Sequence, residues 1–186
     1  YTLYYATNFT FTGLAVMVAY HAGLFNIGGE GQAGIGGLGV TLVILSLPWP
    51  HWALALPAAM VGAALFGALW ALIPAWLQAR RGSHIVITTI MFNFIAAALL
   101  NYVLVNVLRP QGSMDPASAN FPAATHLPKL SYMALGLGFE WGKNTPVNIT
   151  LFIALAACVL VWALIWRTRL GYEIRAFGKS EPAAVY

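Results

Sequence analysis

The sequence predicts an all-α integral membrane protein, a polytopic bundle of about five transmembrane helices with one discontinuous pair. Three observations predict it. Hydrophobic residues make up 60% of the chain and charged residues 8%, whereas a soluble domain carries about 25% charged residues. The apolar residues gather into runs near the roughly 20 residues that a helix needs to cross a bilayer. Glu30 is the only acidic residue before Asp115, and it stands among glycines in Gly23-Leu-Phe-Asn-Ile-Gly-Gly-Glu-Gly-Gln32. An acid at bilayer depth costs about 2.5–3.5 kcal/mol on insertion scales, so such a residue marks a pathway or a break in a helix.

Residues 3–25 form the first predicted span. The second, residues 30–47, is short and opens on the Gly-Glu-Gly-Gln run. With the first it makes a discontinuous pair, a common way to build a transporter site. Pro48-Trp-Pro-His51 is a tight turn with an interfacial Trp. The third span, residues 52–77, carries the small pairs Gly62/Ala63 and Gly67/Ala68, which allow close helix approach. The basic connection Arg80-Arg-Gly-Ser83 leads to the fourth span, residues 85–108, which His84 is placed to cap. Residues 109–146 are a polar loop rich in Pro, Ser and Asn. The fifth span is residues 147–166, and residues 167–186 form a tail bearing Arg167, Arg169, Arg175 and Lys179. By the positive-inside rule the 80–83 connection and the tail are cytoplasmic. The 48–51 turn, the 109–146 loop and Tyr1 are then extracytoplasmic, an alternation consistent with five spans.

Several chemistries are excluded. The formal charge of +4 is not gathered into a basic face interleaved with aromatics, so nucleic acid is not an expected partner. Cys158 is the single cysteine and lies in an apolar run, so no disulfide framework or thiolate metal site is expected. His21, His51, His84 and His126 lack companions at ligand spacing, so no metal is expected. Gly34-Ile-Gly-Gly-Leu-Gly39 has the spacing of a dinucleotide-binding turn but lies inside a spanning helix, where that reading fails for want of a preceding strand. Gly142-Lys-Asn-Thr145 falls short of a phosphate loop, with Leu137 at the leading glycine position and Asn144 after the lysine. No ATP site, catalytic group or cofactor is expected.

On the fourth span Thr89, Asn93 and Asn101 share about a third of the helix circumference. They read either as interhelical hydrogen-bonding groups, worth about 0.6 kcal/mol each on average, or as a polar wall of a translocation route. Phe25, Phe92 and Phe94 read as packing residues before ligand residues. In the tail, Ser180 is a candidate N-cap with Glu181 and Pro182 in the first turn, which predicts a short helix starting there.

Three stretches, in this order and spacing, resemble the permease subunits of bacterial ATP-binding-cassette importers. They are Gly23-Leu-Phe-Asn-Ile-Gly-Gly-Glu-Gly-Gln32, Thr88-Thr-Ile-Met-Phe-Asn93, and Thr168-Arg-Leu-Gly-Tyr-Glu-Ile-Arg-Ala-Phe-Gly178 followed by Pro182-Ala-Ala184. The likeness covers essentially the whole chain and is to the nucleoside and simple-sugar branch of the branched-chain amino-acid permease superfamily. One departure is Ile85, where family members often carry a Glu after the His. Opening on Tyr1 instead of Met and stopping at Tyr186 in mid-motif, the chain reads as a fragment of a longer permease that lacks both ends.

The resemblance implies a single permease domain over residues 1–186 in a bacterial or archaeal cytoplasmic membrane. It implies as partners a cytoplasmic ATP-binding subunit, a second permease subunit and an extracytoplasmic binding lipoprotein. Gly171, Glu173, Arg175, Gly178, Pro182, Ala183 and Ala184 would fall in the segment that couples to the ATPase. Asn26, Glu30, Gln32, Thr89 and Asn93 would surround the substrate route, which suits nucleosides, or simple sugars as a second choice. The rival readings are an ion- or proton-coupled secondary transporter with Glu30 as the proton carrier, and a membrane scaffold that transports nothing.

Overall fold

A computed structural model describes residues 1–131 and 146–180. Its named helices are α1 (Thr2–His21), α2 (Gly29–Ser46), α3 (Trp52–Arg81), α4 (Ile85–Val103), α5 (Thr150–Arg167) and α6 (Arg169–Lys179). The chain forms a multi-pass membrane protein. α3, α4 with its following turn to Leu108, and α5 are long and apolar enough to cross a bilayer. Leu65, Leu69 and Leu72 of α3 and Val159 and Leu160 of α5 are all more than half exposed, a placement that suits lipid and that water would penalise. α1 and α2 stand where the first two spans were expected. They fall outside that set: α1 carries Thr and Asn, and α2 carries Glu30, Gln32 and several glycines.

The contacts divide the chain into two units, Asn26–His126 and Tyr1–Phe25 with Leu127–Tyr186. In the Asn26–His126 unit, α2 packs between α3 and α4. The α2–α3 contact is a seam of small residues. A Cβ on Gly39 would overlap the Gly62 carbonyl, and one on Gly36 would stand 3.2 Å from the Ala63 carbonyl oxygen. The apparent dinucleotide turn is thus a helix-packing stripe, with Gly36 and Gly39 set into α3. Gly62 and Ala63 form the other side of that seam, the simple bundle packing such pairs allow. Ile44, Ala55 and Ala59 close one end of it, with Val40 and Trp49 against them, and the Trp49 indole N–H donates to the Val43 carbonyl at 3.1 Å.

α3 runs four residues past its expected end. Arg80 and Arg81 stand in its last turn, where cations offset the helix dipole. Gly82 then takes φ +63 and returns its N–H to the Gln78 carbonyl, a left-handed C-terminal stop for which glycine is the usual residue. Its N-terminus is capped by His51, whose Nδ1 accepts from the Ala53 N–H at 3.2 Å. His84 holds the N-cap position of α4, but its side chain makes no capping bond; the expected cap is positional only. α4 continues into a π-helical turn, Leu104–Leu108, so the fourth span ends where expected.

In the second unit α1 packs along α5. Their C-terminal ends meet through an edge-to-face contact of His21 and Trp166, with ring centroids 6.1 Å apart. A short antiparallel bridge joins Lys129 to Asn148 ahead of α5. α6 is a helix where only a connector or coupling segment was expected. Its N-cap Thr168 accepts from the Gly171 N–H at 3.1 Å and donates to the Leu164 carbonyl at 2.6 Å. Ser180 is the C-cap of α6. The helix expected after it lies outside the described residues, as do the 142–145 segment, Pro182, Ala183 and Ala184.

Candidate functional site

The chain leaves α1 at Ala22 and does not become helical again until Gly29. No side chain of its own caps the new helix. The first turn of any helix leaves backbone N–H groups without partners, and here α4 supplies one. The Asn93 Oδ1 accepts from the Gly31 N–H at 2.9 Å, and its Nδ2 donates to the Ile27 carbonyl at 3.0 Å. One side-chain amide thus satisfies the backbone on both sides of the junction.

Asn26 and Gln32 close the other flank. Asn26 Oδ1 accepts from the Gly28 N–H at 2.8 Å, and Asn26 Nδ2 donates to Gln32 Oε1 at 3.3 Å. Small residues bring the elements this near. A Cβ on Gly31 would lie 2.9 Å from Asn93 Oδ1 and 3.1 Å from Ala96 Cβ, and one on Gly28 would lie 3.1 Å from Thr89 Cβ. The face of α4 against α2 is therefore Thr89, Asn93, Ala96 and Leu100, at helical spacing.

The five residues expected around the route separate here. Asn26, Gln32 and Asn93 form one hydrogen-bonded junction. Thr89 adjoins it, 1% exposed, with its hydroxyl donating to the Ile85 carbonyl at 2.8 Å. Glu30 sits one residue from the clasp but is exposed and takes no part in these hydrogen bonds. Asn101 is exposed as well, so it does not share the buried face of Thr89; Leu100 takes that place, against Gly34. Phe92 packs edge-to-face on Trp70, with centroids 5.4 Å apart, while Phe94 is 68% exposed.

In the other unit, two glycines fix α6. A Cβ on Gly171 would overlap the Leu164 carbonyl and stand 2.6 Å from that of Ile165, so α6 begins flush against the end of α5. A Cβ on Gly178 would overlap the His21 carbonyl, so the far end of α6 sits equally close to the last turn of α1. Arg175 lies over Trp166 at 4.4 Å from the ring centroid. Glu173 pairs with Arg169 at 3.0 Å on an exposed face, a contact worth little in water. Trp166 and Thr168 were not singled out by the sequence, although Thr three residues before a Gly at a charge-rich helix start is a capping pattern.

The family model for branched-chain amino acid transport system permease components matches residues 1–186. The chain is 38% identical to a glucose ABC transporter permease protein of Haloferax volcanii over 92% of its length and 45% of that protein. It is 34% identical to a guanosine ABC transporter permease protein of Bacillus subtilis over its whole length and 50% of that protein. It is 32% identical to a nucleoside ABC transporter permease protein of Lactococcus lactis over 94% of its length and 47% of that protein. The chain thus spans about half the length of the curated relatives it matches. No solved structure matches it. A continuous match from the first residue to the last means that this chain belongs to the family of branched-chain amino-acid transport permease components.

Proposed function

We propose that this chain is part of the membrane-spanning permease subunit of an ATP-driven importer in the cytoplasmic membrane, and that both of its units belong to one permease domain. The observation that carries the reading is the Asn93 clasp at the α1–α2 junction. Non-helical backbone between two membrane helices is tolerated where it is buried in protein or lines a cavity, and helix ends that face such a cavity are where transporters place their sites. Asn26, Gln32 and Asn93 supply hydrogen-bonding groups there, with Thr89 behind them and Glu30 beside them. A nucleoside fits best, since its sugar and base edges need such partners, and two of the three relatives above are named for nucleosides. A simple sugar is the second choice, in line with the third relative.

The driving energy in this reading comes from a cytoplasmic ATP-binding subunit that docks on α6 and the residues after it, including Gly171, Glu173, Arg175, Gly178 and Pro182-Ala183-Ala184. A second permease subunit completes the pathway, and an extracytoplasmic binding lipoprotein delivers the solute. Support comes from the family match and from the way Gly171 and Gly178 tie α6 to the ends of α5 and α1. The test deletes residues 172–184 from the full-length protein. The ATP-binding subunit should no longer co-purify, and uptake of labelled guanosine should stop. Stoichiometric co-purification after the deletion would refute the docking role.

A further inference from the structure

A cavity of about 490 Å³ opens beside the C-terminal end of α1, where α5 and α6 meet it. Tyr20, His21, Phe25, Trp166, Arg175 and Lys179 give its walls their chemistry. Two glycines give it its shape. Gly23 turns the chain in the left-handed region, φ +73, with the Gly178 carbonyl oxygen 3.3 Å from where its Cβ would be. Gly178 in turn has no room for a Cβ against His21.

The lining is aromatic and cationic. Arg175 stacks on Trp166, and its Nε donates to the Gly171 carbonyl at 3.4 Å. Its two terminal nitrogens make no hydrogen bond among the described residues. Lys179 is exposed at the rim. Glu173 is the one acidic residue among the described residues of this unit, and it pairs with Arg169. Three helix C-termini converge here, each worth about half a negative charge, against full positive charges on Arg175 and Lys179. The balance is about +0.5, so the cations still outweigh the dipoles.

Tyr and Trp settle at headgroup level in membranes, and Tyr20 and Trp166 stand at the ends of two helices here. One to two turns back along the same helices, Val16, Val159 and Leu160 are exposed apolar residues. Basic pockets between membrane helices on the cytoplasmic side are a known setting for anionic headgroups. We propose that this cavity binds the phosphate of an anionic membrane lipid, of the phosphatidylglycerol type. Arg175 and Lys179 are its counter-ions, and its acyl chains lie along α1 and α5. The proposal rests on the permease reading only in placing this end of the helices at the inner face of the membrane.

The experiment is native mass spectrometry of the full-length permease in detergent, titrated with dioleoylphosphatidylglycerol or dioleoylphosphatidylcholine. The two lipids share their chains and differ in headgroup charge. The phosphatidylglycerol should be retained preferentially, and Lys179→Gln should weaken that retention about fivefold, the effect of one basic residue near a lipid surface. Arg175→Gln should weaken it by a similar factor. Lys179 is exposed, so its variant reports binding without disturbing the fold. Equal retention of both lipids, or no change in Lys179→Gln, overturns the proposal. Displacement of the lipid by millimolar inorganic phosphate would reassign the cavity to a free anion. If Lys179→Gln keeps the lipid but releases the ATP-binding subunit, the cations belong to the subunit interface and the proposal fails. Lipid retention is read without transport or ATPase binding, so its loss and the failure of the importer reading are separate results.

Discussion

Asn93 does with one amide what a helix N-terminus normally does with its own cap. It takes the Gly31 N–H and holds the Ile27 carbonyl, so removing it strands polar groups on both sides of the junction. Leaving a buried donor unpaired costs about 1–3 kcal/mol, and of the two partners the Gly31 N–H is the buried one, the Ile27 carbonyl being exposed. Asn93→Ala in the full-length protein should therefore lower its melting temperature clearly and abolish uptake. Thr89→Val is the contrast. Among the described residues the Thr89 hydroxyl bonds only carbonyls of its own helix, so the isosteric change should cost less than about 1 kcal/mol. If a thermal-shift assay finds the two variants alike, the clasp does not hold the junction. Asn93 was legible from the sequence as a polar residue in a span, because polar groups are scarce there. Its partners were not, since both are backbone atoms more than 60 positions away along the chain. Glu30 was the loudest residue in the sequence for its charge alone, and charge does not tell which way a side chain on a first helical turn is directed.

The elements of the Asn26–His126 unit are held by close backbone approach, so individual glycines should differ in sign. Gly37 faces open space and Gly39 meets the Gly62 carbonyl. Gly37→Ala should stabilise by about 0.4–1 kcal/mol through the unfolded state, and Gly39→Ala should destabilise by about 1–3 kcal/mol through overpacking. Thermal unfolding of the two variants checks this; equal shifts would mean that the α2–α3 seam is not as tight as described. Helix positions were readable from hydropathy to within a few residues because lipid enforces long apolar runs. Helix ends were harder. Arg80 and Arg81 look like a loop by charge yet complete α3, because Gly82 beyond them sets the stop. α6 was missed as a helix although Leu170, Ile174 and Phe177 recur at helical spacing among its charged residues, because 11 residues are a short run for such a period to carry and its start also depends on the Thr168 hydroxyl and on contacts with α5 and α1.

For the molecule as a whole, coupling to an ATPase turns on which side of the membrane carries α6. The bundle can be driven by a cytoplasmic ATPase only if the end of α5 and all of α6 face the cell interior. Arg80, Arg81, Arg167, Arg169, Arg175 and Lys179 crowd toward one predicted side, and the positive-inside rule assigns that side to the cytoplasm. The most direct measurement is labelling of Lys179→Cys in a full-length, otherwise cysteine-free protein with a membrane-impermeant maleimide. Labelling in inverted vesicles and none in intact cells is the predicted result. Labelling in intact cells would put α6 on the wrong face and contradict the coupling to an internal ATPase.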